Sequence, residues 1–266
     1  ILSAIDKIKN NSNDRYFDIF DFHWYPLHDW KSVPTSITNS REGITLNAFT
    51  NIIREKLTEF GYQDTPIWMT ETGVWSDKLP PGAPFQHETS EIEQAQYVIK
   101  MYTHSLANNI EKIFWFTLKE TYLDDFGRKG EGGKIGLINN PFNKHGLSHK
   151  KLGYYTYKLM TEKLEGSDWN NIQTIQEKDG IYIYRFTKQG KSIWIAWNDN
   201  KEVKQITLSG LRSKQIKITK AIPQPKSKSG KDITNYSTAF KTDKESMKNG
   251  QITIKVGEIP LFIEEE

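Results

Sequence analysis

Apolar residues along the first part of the chain follow two alternating spacings. Runs with helical spacing alternate with short strand-like runs, so that each strand is followed by a helix. The strand-end residues His23, Glu71 and Thr117 are 48 and 46 residues apart. This regular period predicts a parallel α/β architecture over residues 1–166. The predicted helices are 1–9, 46–60, 91–108 and 150–164, and the predicted strands are 17–25, 67–71 and 113–118.

The spacing changes after Gly166, where the helical pattern stops. Apolar and polar residues then alternate in short runs that are separated by turns rich in Gly, Asn, Asp and Lys. This pattern predicts an antiparallel β-sandwich over residues 167–266. Two prolines among lysines and serines predict a mobile loop at 223–231. The predicted strands are 180–186, 192–198, 205–208, 215–221, 251–256 and 260–264.

Composition excludes several classes of protein. The chain has 266 residues, is 36% hydrophobic and 12% aromatic, and can therefore bury a core in one large domain or two smaller ones. No apolar stretch approaches the roughly 20 residues that span a bilayer, so a soluble protein without a membrane segment is expected. The lack of cysteine excludes disulfides, thiolate metal sites and a cysteine nucleophile, and it suits a secreted and a cytoplasmic protein equally.

The charge distribution argues against nucleic-acid binding. Residues 1–165 contain 19 Lys+Arg and 21 Asp+Glu, a net charge of −2. Residues 166–266 contain 17 Lys+Arg and 12 Asp+Glu, a net charge of +5. The lysines of the second part are scattered along alternating strands and form no arginine-rich block, which is typical of a solvated face. No metal or cofactor is expected either.

The first predicted strand carries three polar residues on one side. Side chains alternate across a strand, so Asp21, His23 and Tyr25 share one face. Polar groups on a buried strand need hydrogen-bond partners. One interpretation is a buried His23 that is satisfied by Asp21. The functional interpretation is that His23 and Tyr25 orient a neighbouring carboxylate and contact substrate.

The second predicted strand supplies that carboxylate in Glu71. It ends a short apolar run, and barrel enzymes carry their chemistry at the C-terminal ends of their strands. By alternation, Glu71 should share a face with Met69 and Ile67, while Trp68 and Thr70 should pack against helices. The alternative for Glu71 is an ordinary surface or helix-capping residue.

Further candidates for substrate contact lie near the other strand ends. Trp115, on the third strand, could offer its flat ring to the C–H face of a sugar, or could simply pack in the core. Trp75 begins the loop 75–87, which together with the loop 27–39 would select the substrate. Glu120 follows the third strand and is also a candidate, although it could be a solvated loop acid, as could the neighbouring Asp124 and Asp125.

The ordered motifs resemble a known family. They read FDIFDFHWYP, PIWMTETGVWS, IFWFTLKE and GLINNPFNKHGLSHKKLGYYTYKLMTEKLEG, and the tail reads GQITIKVGEIPLFIEEE. This order resembles the last strands and final helix of the retaining glycoside hydrolases of clan A, with families 39 and 5 nearest. The tail resembles the small β-sandwich that often follows such barrels.

The resemblance implies roles for individual residues. It makes Glu71 the nucleophile of a retaining glycosidase that hydrolyses β-linked glycosides or glycans, with His23, Tyr25 and Trp115 at the substrate site. The family carries its general acid/base in an Asn-Glu pair after the fourth strand, and this sequence contains no such pair.

A complete (β/α)8 barrel needs ~250 residues. The expectation is therefore a partial TIM barrel, about the last three strand–helix units, from a larger enzyme whose N-terminal barrel half is missing here. Two alternatives stay open: a non-catalytic carbohydrate-binding or degenerate glycosidase fragment, and a structural role for the sandwich as a packing or adhesion module.

Overall fold

The structure is a computed structural model that describes residues 2–8, 14–26, 32–33, 44–76, 89–121, 134–142 and 148–266. The described α-helices are α1 (Leu2–Ile8), α2 (Leu46–Glu59), α3 (Glu91–Ala107) and α4 (Leu152–Leu164). The strands of the first part are β1 (Phe20–Trp24), β2 (Ser32–Val33), β3 (Ile44–Thr45), β4 (Ile67–Thr72) and β5 (Lys112–Trp115). Those of the second part are β6 (Gln173–Lys178), β7 (Ile181–Lys188), β8 (Lys191–Asn198), β9 (Lys204–Ser209), β10 (Gln215–Lys220), β11 (Thr242–Ser246), β12 (Gln251–Val256) and β13 (Leu261–Glu265).

The first part contains a three-stranded parallel sheet in the order β1-β4-β5. Helices α2 and α3 cover one face of it. The cluster between them buries Phe22, Ile67 and Met69 from the strands against Ile53 and Leu57 from α2. The four predicted helices and three predicted strands are present with shifts of a few residues at their ends. Strands β2 and β3, a pair of two residues each, were not predicted.

One expectation about β4 is wrong. Ile67 and Met69, and not Trp68 and Thr70, are the residues that pack against the helices. Trp68 and Thr70 are only partly buried, and the Trp68 ring lies 6.1 Å from that of Phe114. The aliphatic residues occupy the helix-facing side because it is the side fully removed from water.

The second part contains two antiparallel assemblies. Six strands form a sheet in the order β11-β10-β13-β8-β7-β6, and β9 pairs with β12. A buried aliphatic cluster lies between them. Residues 165–266 are described throughout, and their only helical turns are the short 3-10 segments Trp169–Asn171, Gly230–Asp232 and Tyr236–Thr238.

The central strands of the six-stranded sheet are buried on both faces. In β8, Trp194 and Ala196 join the cluster shared with β9 and β12, while Ile195 and Trp197 join a second cluster with α3 and α4. The expected alternation of apolar and polar residues therefore fails here. The continuous apolar run of β8 is the pattern of a strand with two covered faces.

Two strands of this sheet were not predicted from the sequence either, and both lie at its edges. β6 and β11 pair on one side only, and every residue of β11 is exposed. Strands of this kind carry no apolar alternation because neither of their faces is fully buried, and polar edges discourage further strand pairing.

The loop at 223–231, which was expected to be mobile, is anchored. The Glu91 carboxylate accepts hydrogen bonds from the Ser229 hydroxyl at 2.6 Å and from the Gly230 amide at 2.8 Å. A Cβ at Gly230 would lie 2.3 Å from the Lys150 carbonyl oxygen, so this glycine is required by a close backbone approach.

No helix among the described residues is long and apolar enough to span a membrane.

The shared core of α3, α4 and β8 predicts one cooperative unfolding transition for both parts of the chain. Ile99→Ala, at a fully buried position of α3, should lower the free energy of unfolding by about 2–5 kcal/mol. In chemical denaturation, the transition followed by far-UV circular dichroism and the one followed by tryptophan fluorescence should shift together.

The matched control is Ile52→Ala, at an exposed position of α2, which should change the free energy of unfolding by about 0.5 kcal/mol or less. Two separate transitions, of which only one responds to Ile99→Ala, would contradict the shared core.

Candidate active site

Three polar side chains converge at the C-terminal ends of β1 and β4. The strands are parallel and place His23 directly opposite Glu71. The Tyr25 hydroxyl, one residue past the end of β1, donates to Glu71 Oε2 at 2.8 Å. His23 Nδ1 lies 3.2 Å from the same oxygen. Glu71 is 34% exposed and His23 is 54% exposed, so both remain accessible from solvent.

A β-bulge in β4 explains how Glu71 reaches this position. The register passes from Phe22 opposite Met69 to His23 opposite Glu71, which leaves Thr70 as an extra residue in β4. An extra residue reverses the direction of the side chains that follow it. Glu71 therefore shares a face with His23, and the expectation that it shares one with Met69 is wrong.

The partner of Asp21 excludes the buried-histidine interpretation. The Thr70 hydroxyl donates to Asp21 Oδ2 at 2.8 Å across the two strands. Asp21 thus accepts a hydrogen bond from the bulge residue, and the exposed His23 faces the Glu71 carboxylate instead. Sequence reasoning did not identify the Thr70–Asp21 bond, because the bulge that creates it has no signature in the local pattern.

The chain immediately after Glu71 is held tightly. A Cβ at Gly73 would lie 2.7 Å from the Phe116 carbonyl oxygen, so the Thr-Glu-Thr-Gly motif needs a glycine for close approach to the neighbouring strand. The Gln94 amide of α3 donates to the carbonyl oxygens of Val74 at 2.9 Å and Ile135 at 3.1 Å. Glu71 is therefore carried on a fixed backbone.

Trp75 joins the group at the strand ends. Its ring centroid lies 6.5 Å from that of Tyr25, with 36° between the planes. An aromatic ring in contact with Tyr25, whose hydroxyl donates to Glu71, offers an apolar platform that suits the C–H surface of a sugar.

The structure does not bring Trp115 into this group. Trp115 packs against the cluster formed by α3, α4 and the six-stranded sheet, and its indole N–H donates to the Ile135 carbonyl oxygen at 3.0 Å. These contacts agree with the alternative interpretation of Trp115, in which its ring packs in the core. The exposed aromatic residues around it are Phe114 and Phe116, which sequence reasoning did not select.

Glu120 is also outside the group. Its side chain is 3% exposed and forms an ion pair with Lys151, which is 4% exposed. Lys151 Nζ donates in addition to Ser76 Oγ at 2.8 Å. Burial lowers the pKa of the Lys151 ammonium, and the Glu120 carboxylate opposes that shift. A carboxylate in this setting does not match the expected substrate contact. Asp124 and Asp125 lie outside the described residues.

No group of three or more metal-ligating side chains occurs within the described parts of the chain. The candidate site consists of one partly exposed carboxylate, the Tyr25 hydroxyl and the His23 ring nitrogen on one of its oxygens, and an indole in contact with Tyr25.

Part of the sequence is similar to a known family of catalytic domains. A profile described as glycosyl hydrolase catalytic core matches residues 5–131, which include β1, β4 and β5. Residues 5–131, a little under half of the chain, are therefore similar to a glycosyl hydrolase catalytic core. No curated protein matches the sequence.

Several solved glycosidase structures have a fold similar to that of this chain. A family 39 glycoside hydrolase from the gut symbiont Bacteroides cellulosilyticus WH2 has a TM-score of 0.62 and 15% identity, over 94% of this chain and 44% of that one. The glucosidase from Croceicoccus marinus has a TM-score of 0.54 and 10% identity, over 99% of this chain and 55% of the glucosidase. The thermostable family 51 α-L-arabinofuranosidase from Thermotoga petrophila RKU-1 has a TM-score of 0.52 and 9% identity, over 94% of this chain and 52% of the arabinofuranosidase. These neighbours are TIM-barrel glycosidases, and the chain spans about half the length of each.

The buried position of Glu120 generates a stability prediction. Lys151→Met removes the cation and leaves the Glu120 carboxylate in the interior without its ion-pair partner, so the free energy of unfolding should fall by about 3–5 kcal/mol. The double variant Glu120→Leu/Lys151→Met should recover most of that loss, because it removes both buried charges. Chemical denaturation measures both.

Lys56→Met is the matched control, because Lys56 forms an exposed ion pair with Glu59 and its loss should cost less than about 1 kcal/mol. If Lys151→Met is as mild as Lys56→Met, the buried ion pair is not part of the folded state.

Proposed function

We propose that the chain is the C-terminal part of a retaining β-glycosidase. In this proposal residues 1–166 supply about the last three strand–helix units of a (β/α)8 barrel, and residues 167–266 form a β-sandwich domain. The observation that carries it is the pair of contacts from Tyr25 and His23 to Glu71 at the C-terminal strand ends, the face at which TIM barrels carry their chemistry. The match of residues 5–131 to the catalytic-core profile and the likeness to TIM-barrel glycosidases support it.

Glu71 acts as the nucleophile in this mechanism. Tyr25 and His23 both contact Oε2, and among the described residues Oε1 has no hydrogen-bond partner. Oε1 is therefore the oxygen that attacks the anomeric carbon. The bond to the leaving oxygen breaks as the Glu71 ester forms, and a second carboxylic acid protonates the leaving group.

Tyr25 and His23 position the carboxylate for that attack. Two contacts on one oxygen restrict rotation of the carboxylate, so the remaining lone pairs point in one direction, and alignment of this kind lowers the entropic part of the barrier. Tyr25 donates its hydroxyl proton, and His23 donates when Nδ1 carries a proton. Trp75 lies where it can stack against the sugar bound beside Glu71.

The general acid/base comes from sequence outside this chain in the proposal. The sequence has no Asn-Glu pair, and the second carboxyl group of a retaining enzyme stands about 5–5.5 Å from the first. The missing barrel half would supply it together with the rest of the sugar-binding surface. The substrate class is a β-linked glycoside or glycan.

Removal of the nucleophile tests the assignment in the full-length enzyme. Glu71→Ala and Glu71→Gln should each reduce kcat on an aryl β-glycoside by several orders of magnitude and leave the thermal unfolding midpoint nearly unchanged, because Glu71 is partly exposed at a strand end. Azide should restore activity to Glu71→Ala and give a glycosyl azide of α configuration, since it attacks from the side that Glu71 occupied.

Glu59→Gln, at an exposed site at the end of α2, is the matched control and should keep the wild-type rate. A wild-type rate for Glu71→Ala would assign the nucleophile to another residue. A full-length protein that binds glycans but hydrolyses none of them would instead support the non-catalytic alternative.

The hydrogen bond from Tyr25 generates a second kinetic prediction. Tyr25→Phe deletes the donor and keeps the ring, so it should lower kcat on the same substrate by about 10- to 150-fold, the equivalent of one hydrogen bond to a charged group. Because the ring still contacts Trp75, KM should change much less. A change confined to KM would assign Tyr25 to sugar binding and not to the positioning of Glu71.

A further inference from the structure

A cavity of about 560 Å³ lies between α3, the start of β5 and the 3-10 turn that follows α4. Its lining includes Asn109, Glu111, Lys112, Trp169 and Asn170. Since Lys112 is the first residue of β5 and Glu71 is near the end of the parallel strand β4, the cavity opens at the opposite end of the parallel sheet from Glu71. It is a separate place on the molecule.

The Trp169 ring provides an exposed apolar surface in this cavity. It is 45% exposed, although its edge contacts Phe186 with the ring centroids 6.4 Å apart. The turn that carries Trp169 is held by Asp168. Its carboxylate accepts hydrogen bonds from the backbone N–H of Asn170 at 3.1 Å and from the side-chain amide of Asn171 at 2.6 Å. Trp169 is thus presented on a fixed turn.

The opposite wall of the cavity, which includes Asn109 and Glu111, is also held by hydrogen bonds to its backbone. The Arg54 guanidinium donates to the carbonyl oxygens of Asn109 at 3.1 Å and Thr65 at 2.7 Å. Asn109 adopts a left-handed backbone conformation with φ of 58°. The next residue, Ile110, is buried, and the Glu111 amide donates to the Ile67 carbonyl oxygen at 2.9 Å. The side chains of this wall therefore start from an ordered backbone.

The polar groups around Trp169 are available to a ligand. Within the described part of the chain, the side chains of Asn109, Lys112 and Asn170 make no hydrogen bond, and Glu111 is exposed. Two amides, one carboxylate and one ammonium beside an aromatic ring provide both donors and acceptors. The ring matches the C–H face of a pyranose, and the polar groups match its hydroxyls.

The charges favour an uncharged ligand over a polyanion. Glu111 repels phosphate and carboxylate groups, and Lys112 is the only cation among the lining residues. Neighbouring hydroxyls, in contrast, can donate to the carboxylate and accept from the ammonium at the same time.

We propose that this cavity is a second glycan-binding site, with Trp169 as its platform and Asn109, Glu111, Lys112 and Asn170 as its polar contacts. The choice of ligand class rests on the proposed function, since a β-linked glycan is the polymer on which such an enzyme acts. A site at the far end of the sheet would hold the polymer without taking part in hydrolysis.

The test uses isothermal titration calorimetry. The 266-residue chain itself is titrated in turn with cellohexaose, xylohexaose and mannohexaose. At least one of the three should bind. Trp169→Ala should weaken that binding about tenfold or more, and Trp169→Phe should have an intermediate effect because it keeps a smaller ring. Tyr16→Ala is the matched control, an aromatic residue with the same 45% exposure that does not line the cavity, and it should bind as the wild type does.

A second variant guards against a folding artefact. Asn109→Ala/Asn170→Ala leaves Trp169 and its contact with Phe186 in place and should also weaken binding, and circular dichroism should show an unchanged fold for each variant. The proposal is overturned if none of the three oligosaccharides binds, or if binding is insensitive to Trp169→Ala.

The same titration separates this site from the candidate active site. If Trp75→Ala abolishes binding and Trp169→Ala does not, the only glycan site is at Glu71, which overturns this inference and leaves the proposed function standing. If Trp169→Ala weakens binding while the full-length Glu71→Ala variant stays active, the second site stands and the assignment of Glu71 falls.

Discussion

Helix α3 has no exposed face over most of its length, and the other layers are arranged around it. Every residue from Val98 to Ser105 is buried. Met101 packs with the cluster beneath the parallel sheet, while Val98 packs with the six-stranded sheet. Because a buried cation needs a partner, the ion pair between Lys100 and Asp199, at 2.7 Å, fixes the helix relative to the antiparallel strands.

The N-terminal half of the same helix holds the candidate active site in place. Gln94 binds the carbonyl oxygen of Val74, three residues after Glu71. Glu91 accepts from the backbone amides of Leu152, at the start of α4, and Gly230. The position of the proposed nucleophile therefore depends on packing with the second part of the chain, although no residue of that part contacts it among the described contacts. Rigid support of this kind is what a reactive carboxylate needs.

Two glutamates at neighbouring strand ends have different environments and, in the proposed function, different uses. Glu71 is partly exposed and receives contacts from a phenol and an imidazole, which leave one oxygen available. Glu120 is enclosed and paired with Lys151. A free, oriented oxygen can attack a substrate, whereas a carboxylate that is engaged by a buried ammonium contributes to the folded state. Burial and the identity of the partner, more than the residue type, separate the two roles.

The sequence by itself determined the order of most helices and strands and the change from alternating helices and strands to antiparallel strands. It also determined that Glu71, His23 and Tyr25 are the polar residues at the strand ends. These follow from spacing and composition, which are local properties. Only the tertiary structure decided which face of β4 meets the helices, because a one-residue bulge reverses alternation and leaves no local pattern. It likewise turned Trp115 and Glu120 inward, since burial depends on which distant segments cover a strand end and not on the residues within it.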